Sequence, residues 1–213
     1  HFKCFDDASI PLNQLTILAG PNGAGKSSII QALLLLRRAV EICFDKGKEG
    51  YVQPSKSIRG PLLSLNDSFC LALGDTWRIL PENYGENSIG FGLYDELNQL
   101  SILFLVSRDE PQRWIEPLEL EVSGNLDLSL LHSEFYYLNA ERIGPRVFQE
   151  TQFFEFANAG WKGEYCAQLV GNNSGYTEVD SERWYPGINK YLQPQVSAWM
   201  SSIFGAEISV SSD

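Results

Sequence analysis

Three glycines, a lysine and two serines lie close together near the start of the chain, in the stretch AGPNGAGKSS that begins at Ala19. Four residues separate Gly20 from Gly25, and Lys26 and Ser27 follow Gly25 directly, which matches the pattern G-x-x-x-x-G-K-[ST] at every fixed position. Glycines let a backbone approach a phosphate group without a Cβ atom in the way. The spacing therefore predicts a loop that holds the phosphates of a nucleotide.

Each part of this loop has a predicted role. The backbone N–H groups should converge on the β-phosphate, helped by the positive end of the helix that follows. Lys26 should reach the β- and γ-phosphates, the Ser27 hydroxyl should coordinate Mg²⁺, and Ser28 should contact the α-phosphate. The predicted nucleotide-binding residues are Gly20, Asn22, Gly23, Ala24, Gly25, Lys26, Ser27 and Ser28. The alternative is a glycine-rich helix start with a lysine that faces solvent.

The elements on either side of the loop favour the phosphate-binding interpretation. Residues 14–20 (QLTILAG) have the composition of a buried strand that ends at a glycine. Residues 27–43 are dense in helix formers, and the leucines at 33–36 leave almost no polar face, which is typical of a buried helix. Strand, glycine loop and helix make half of a βαβ unit, so the sequence predicts an α/β fold with a parallel core strand.

The rest of the chain has a different pattern. Between about residues 68 and 140, short runs of β-forming residues alternate with turn residues and predict an antiparallel meander. The predicted strands are FCLAL, SIGFGLYD, LSILFLVS, IEPLELEV, LDLSLL and EFYYLNA. Residues 45–61 are predicted to form a loop, and residues 193–205 a helix whose apolar face carries Val196, Trp199, Met200 and Ile203.

This pattern divides the chain into three predicted parts of one lobe, residues 1–213. Residues 1–45 hold the strand, the loop and the buried helix. Residues 62–140 form the antiparallel β region, and residues 141–213 are mixed α/β.

Composition and charge narrow the functional classes. The chain of 213 residues carries 27 acidic and 16 basic residues, a formal net charge of −11. Such a surface repels nucleic acid and anionic membranes over most of its area. The four cysteines form no C-x-x-C pair, and the longest apolar run is too short to span a bilayer. We therefore expect a cytoplasmic protein that does not contact a membrane and does not bind duplex DNA by itself.

Two stretches resemble known ATPases. The segment FKCF followed by LNQLTILAGPNGAGKSSIIQALLLL is similar to the N-terminal segment of the ABC-type ATPase heads in the RecF, SMC and OLD-nuclease group. The segments YYLNAERIGPR and GWKGEYCAQLV resemble bacterial AAA-family (AAA_15/AAA_21-like) ATPases. Members of that subset accompany nucleases in anti-phage defence systems such as Septu.

The resemblance implies the fold and function of a P-loop NTPase. It implies ATP and Mg²⁺ as cofactors, and a homodimer or higher oligomer that forms around the nucleotide. Hydrolysis would drive a conformational change in a DNA-processing, DNA-repair or defence complex, with a nuclease subunit as a partner and nucleic acid contacted through the assembly. The alternative is a regulatory or scaffolding module that binds nucleotide with little or no hydrolysis.

The catalytic motifs that the resemblance also implies are hard to find. The stretch 101–110 (SILFLVSRDE) imitates a Walker B strand, but Ser107 and Arg108 separate its apolar run from Asp109 and Glu110. A hairpin at the edge of a sheet that ends in a charged turn is the preferred interpretation. The glycines of NSIGFGLYDEL imitate a signature loop, and a twisted strand is preferred there. We therefore expect the Walker B and signature residues to lie outside this segment.

Four further side chains are candidates for catalysis. Arg142 and Arg146, in the stretch NAERIGPR, would contact the γ-phosphate or a partner subunit, and the alternative is a surface salt-bridge cluster with Glu141. Gln149 is a candidate for the metal-contacting glutamine that the resemblance implies, and Gln152 is a second one.

Overall fold

The computed structural model describes most of the chain. The described residues are 1–54, 62–66, 69, 71–81, 85–124, 127–144, 146, 148, 151–152, 158–171 and 177–209. The chain divides into two compact units, His1–Phe135 and Tyr136–Asp213. Each unit is described by itself.

Helix α1, Lys26–Cys43, organises the first unit. Its second half is buried, including Leu35, Ala39 and Val40, which have no exposed surface. Burial of each large apolar side chain contributes about 1.5–3 kcal/mol to folding. The helix ends at Phe44, whose backbone is extended. The predicted helix over residues 27–43 is confirmed.

The first unit also contains an antiparallel sheet. Its strands are β3 (Leu63–Ser64), β4 (Ser88–Tyr94), β5 (Gln99–Leu105) and β6 (Trp114–Ser123), arranged in the order β3-β6-β5-β4. Strands β1 (Phe44–Lys46) and β2 (Tyr51–Pro54) form a separate hairpin, and the short helix α2 spans Thr76–Ile79. The predicted antiparallel meander is confirmed over β4, β5 and β6.

Successive side chains along each strand point to opposite faces of the sheet, as expected for β-structure. The inner face is buried and carries Ile89, Leu100, Ile102, Phe104 and Ile115. In the register, Ile89 lies opposite Phe104. A β-bulge interrupts the pairing of β5 with β6 between Leu103 and Phe104. This inner face supplies much of the core of the unit.

Four sequence-based assignments are wrong in detail. Residues 45–54 contain the β1–β2 hairpin where a loop was expected. The described residues of 69–73, 127–131 and 134–140 form no strand, and Ser129–Leu131 is a short 3-10 helix. Leu71 and Leu73 are buried nevertheless. Apolar side chains can be buried one by one from coil, so a β-forming composition does not require a ladder partner.

The predicted buried strand before the glycine loop is also wrong. Residues 14–20 are coil, and Leu15 and Ile17 are each 77% exposed. The Asn13 N–H donates to the Thr16 hydroxyl, which is a local bond rather than a ladder. A parallel strand is stable only with neighbours that satisfy its backbone and cover its faces. No described segment pairs with residues 14–20, so the structure shows no parallel core strand.

The second unit contains helices α3 (Cys166–Gly171) and α4 (Leu192–Phe204). Helix α4 ends at Gly205, whose φ of +64° suits the left-handed cap of a helix. This confirms the predicted helix, but its most buried side chain is Gln195, and Trp199 and Ile203 are exposed. The Gln195 amide donates to the backbone oxygens of residues 188 and 189 and so fixes the preceding loop. Within the described ranges, no helix is long and apolar enough to cross a bilayer.

A buried arginine connects helix α1 to the end of the first unit. The Arg37 side chain is only 4% exposed, and its Nε lies 3.1 Å from a carboxylate oxygen of Glu41. It also donates to the backbone oxygens of Leu130 (2.6 Å), His132 (2.6 Å) and Ser133 (3.3 Å). Its guanidinium carbon is within 5.1 Å of the ring centroids of Tyr51 and Phe135. The Arg37 guanidinium therefore has a carboxylate, three backbone oxygens and two aromatic rings as partners within the first unit.

We predict that Arg37→Ala lowers the free energy of unfolding by about 3–5 kcal/mol, because three carbonyls and a carboxylate lose their buried donor. Urea unfolding followed by circular dichroism measures the change. Arg38→Ala is the matched control: Arg38 bonds to the same Glu41 but is 37% exposed, so its loss should cost less than about 1 kcal/mol. Equal costs for the two variants would contradict the assigned role of Arg37.

Candidate nucleotide-binding site

The glycine loop leads directly into the first turn of helix α1. Gly25 is the N-cap, with φ +85°, and Gly23 has φ +84°. These left-handed conformations strain any residue with a Cβ atom. The glycine cap offers no side-chain acceptor to the first turn of the helix. The N–H groups that start α1, which have no partners within the helix, therefore remain available to an anion.

Lys26 folds back over the loop. Its Nζ donates to the backbone oxygen of Gly20 at 2.8 Å and to that of Pro21 at 2.7 Å. The side chain is half-buried rather than extended into solvent. The two bonds direct the ammonium group to the loop, and its contact with phosphate stays a prediction. The ammonium group lies at the loop, where a phosphate would replace the two carbonyl oxygens as its partner.

The two serines differ in environment. Ser27 is exposed, and Ser28 is half-buried with its Oγ 4.0 Å from the Cys4 Sγ. Among the described residues, no cluster of His, Cys, Asp or Glu could hold a metal ion. Ser27 offers a single hydroxyl oxygen, which suits Mg²⁺ because this ion keeps several waters and binds phosphate oxygens besides a few protein ligands. The donor set fits a magnesium ion that arrives with a nucleotide.

An N-terminal turn forms one wall of the loop. Phe2 and Phe5 exchange backbone hydrogen bonds of 2.7 and 3.0 Å. A Cβ atom added to Gly25 would lie 2.5 Å from the Phe5 ring and 2.9 Å from the Cys4 Sγ. A glycine is therefore required at position 25 for two reasons: the positive φ angle, and the close approach of Phe5 and Cys4. Sequence reasoning missed Cys4 and Phe5 as parts of the site, although the FKCF stretch of the resemblance contained them.

Lys3 attaches this turn to helix α1. Its Nζ donates to the Gln31 side-chain oxygen at 2.7 Å, and its N–H donates to the backbone oxygen of Ile79 at 2.7 Å. Burial lowers the pKa of Lys3 from its usual value, and the nearby Cys4 opposes that shift. These bonds hold the turn against the first half of the helix.

A cavity of about 200 Å³ opens beside the loop. It lies between the N-terminal residues, helix α1 and strand β4, and its lining includes Phe5, Ser28, Leu33 and Phe91. The lining is mostly apolar with a few polar groups, the usual character of a pocket for a small molecule. Ser28 belongs both to the glycine loop and to this cavity.

The remaining candidates lie in the second unit. Arg142 and Arg146 are exposed, and the Lys162 Nζ lies 3.4 Å from a carboxylate oxygen of Glu141. A Cβ atom on Gly163 would lie 2.7 Å from the Arg142 guanidinium. The ion pair agrees with the salt-bridge alternative for Glu141. The Gln152 N–H donates to the Gln168 side-chain oxygen at 2.8 Å, and Gln149 lies outside the described residues. The catalytic role of all four candidates stays a prediction.

The hairpin interpretation of SILFLVSRDE is confirmed, but its predicted place at the edge of a sheet is wrong. Strand β5 lies inside the antiparallel sheet, between β4 and β6, and Asp109 and Glu110 are exposed on the connection that follows it. The expected twisted strand over NSIGFGLYDEL is β4. Neither stretch has the structure of a Walker B strand or a signature loop.

Comparisons with known proteins agree with the nucleotide site. Residues 1–96 match a protein family described as AAA ATPase domain (AAA_15), which is less than half of the chain. Over 36 residues the chain is 47% identical to an OLD nuclease of Thermus scotoductus (strain ATCC 700910 / SA-01), a stretch that is 17% of this chain and 7% of that protein. No solved structure matches the chain. The N-terminal part of the chain is thus similar to AAA-type ATPase domains, which supports nucleotide binding.

Proposed function

We propose that the protein binds Mg-ATP at the loop from Gly20 to Ser28 and that the complete protein hydrolyses it. The observation that carries this proposal is the position of Lys26, whose ammonium group lies at the loop from which the free N–H groups of helix α1 start. A cation and several aligned N–H donors at one point suit a polyphosphate.

ATP binding would change the hydrogen-bond partners of Lys26 and of the N–H groups at the start of helix α1. Lys26 would leave the oxygens of Gly20 and Pro21 for phosphate oxygens, and the N–H groups of residues 25–28 would donate to the β-phosphate. Mg²⁺ would neutralise phosphate charge, and Ser27 would supply its protein ligand. The cavity beside Ser28 is placed to receive the nucleoside end of the molecule.

Hydrolysis needs more than this loop. In-line attack on the γ-phosphate requires a positioned water and an acidic group that orients it. The acidic pair Asp109 and Glu110 lies on a connection of the antiparallel sheet, away from any parallel strand that could place it at the loop. We propose that the complete protein supplies these groups as a dimer or higher oligomer, with nucleotide at the subunit interface.

The biological role proposed here is an ATP-driven switch in a DNA-processing or nuclease-associated complex. Its support is the short similarity to an OLD nuclease and the resemblance of the first 40 residues to ATPase heads. Anti-phage defence is one setting for such a complex. A second candidate is a regulatory or scaffolding module that binds ATP with little or no turnover.

We predict that Lys26→Ala weakens ATP binding at least a hundredfold, because the loop loses its only lysine at the phosphates. Isothermal titration of ATP into the protein measures the affinity. Lys48→Ala, which removes an exposed lysine from the β1–β2 connection, is the matched control and should bind like the wild type. Wild-type affinity in Lys26→Ala would refute the site.

We predict that Ser27→Ala reduces the benefit of Mg²⁺ more than the affinity for nucleotide alone, because only the metal ligand is lost. Titrations of ATP with Mg²⁺ and with EDTA give the two affinities. In the wild type they should differ severalfold, and in Ser27→Ala they should approach each other. Ser123→Ala, an exposed serine on β6, serves as control, and an unchanged magnesium effect in Ser27→Ala would exclude the hydroxyl as a ligand.

We predict that residues 1–213 alone bind ATP without turnover, whereas the complete protein hydrolyses it. A coupled phosphate-release assay on both samples tests this. Binding without turnover by the complete protein as well would favour the regulatory module. Turnover by a monomer of residues 1–213 that disappears in Glu110→Gln would show that SILFLVSRDE acts as a Walker B strand after all.

A further inference from the structure

The side of the sheet opposite the core carries large apolar side chains in solvent. On this outer face, Leu105 is 44% exposed, Trp114 is 43% exposed and Leu118 is 45% exposed. Leu103 lies beside them and is half-buried. Single exposed apolar residues are ordinary, but several next to one another on a rigid sheet mark a surface that binds something.

Glutamates lie beside these apolar residues in the sheet register. Glu116 is opposite Leu105, and Glu119 is opposite Leu103. Glu121 follows on the same face of β6, opposite Ser101. Neither residues 79–107 nor residues 114–141 contain a lysine or an arginine. The outer face of β4, β5 and β6 therefore carries negative charge that no cation of those strands neutralises.

Strand β4 carries two glycines on this face. A Cβ atom on Gly90 would meet a methyl group of Leu103 at 3.6 Å and the backbone oxygen of Ile102 at 4.0 Å, which are ordinary contacts. The Tyr94 ring folds over Gly92 and is itself 66% exposed. The outer face thus has small residues and a tyrosine on β4, and leucines and glutamates on β5 and β6.

We propose that this outer face is the docking surface for a basic amphipathic helix of a partner protein. The leucines and Trp114 would contact the apolar side of the helix, and Glu116, Glu119 and Glu121 would pair with lysines or arginines along its edge. A helix laid on a sheet face is a standard way to bury such a surface. Gly90 and Gly92 also line the cavity beside the glycine loop, but the residues that would contact the helix lie on β5 and β6, outside that lining. The proposal therefore goes beyond the proposed ATP binding.

The negative charge of this face favours a basic helix over nucleic acid and over a second copy of the chain. Nucleic acid is disfavoured because the glutamates repel phosphates. A second copy packed face to face is disfavoured because a twofold interface places each patch against itself, which would bring the same glutamates together. A partner helix that is apolar on one side and basic along its edge would contact the leucines and Trp114 and would pair with the glutamates.

The test uses the intact protein and a helical peptide of about 18 residues built from leucine and lysine, with the leucines on one side. A leucine–glutamate peptide of the same pattern is the matched probe. We expect saturable one-to-one binding of the lysine peptide, a change in tryptophan fluorescence, and protection of Leu105 and Trp114 from hydroxyl-radical labelling. The glutamate peptide should bind at least tenfold more weakly.

Paired variants locate the surface. Leu105→Arg and Glu119→Lys should each weaken binding of the lysine peptide at least tenfold. Leu97→Arg, on the connection between β4 and β5, and Glu207→Lys, in the second unit, change the same residue types at exposed positions off this face and should bind like the wild type. Thermal melting confirms that each variant is folded, and an unchanged affinity for ATP separates this result from failure of the nucleotide site.

Three results would overturn the proposal. The first is equal binding of the lysine peptide by Leu105→Arg and the wild type. The second is protection of Leu105 and Trp114 from hydroxyl-radical labelling in the intact protein before any peptide is added, which would show that the chain covers this face itself. The third is self-association of the intact protein that disappears in Leu105→Arg, which would make a second copy the occupant.

Discussion

A charged group inside the first unit constrains the position of the nucleotide loop. Arg37 and Lys26 lie on the same helix, about 16 Å apart along its axis. The guanidinium of Arg37 has its partners on residues 130–133 and on Glu41. An unpaired buried cation would be far more costly than these bonds are favourable, so the helix is held in one register. The glycine loop at the N-terminal end of the helix is therefore also held in a fixed position.

The first turn of the same helix is held from the other side. Phe5 and Cys4 touch Gly25, and Lys3 reaches Gln31 one turn into the helix. The loop is therefore bounded by a rigid helix and by a short turn of the N-terminal segment. A phosphate-binding loop must present its N–H groups without reorganisation, and packing on both sides serves that requirement.

The sequence predicted the features that depend on local geometry. The loop followed from a fixed spacing of glycines, lysine and serine, and strands β4, β5 and β6 followed from short runs of β-forming residues separated by turn residues. Residues 14–20 were mispredicted because a buried strand depends on neighbours that no local pattern reveals. The burial of Arg37 was equally hidden, since the adjacent Arg37 and Arg38 look alike in sequence and only one of them meets the carbonyls of residues 130–133.

The bonds that Lys26 makes to its own loop have a consequence for selectivity. The ammonium group is bonded to the oxygens of Gly20 and Pro21. A ligand that takes the lysine from these oxygens gains only the difference between its own contacts and those two bonds. A polyphosphate makes several charge-assisted contacts at once, so under the proposed function it is favoured over an anion that contacts the lysine alone.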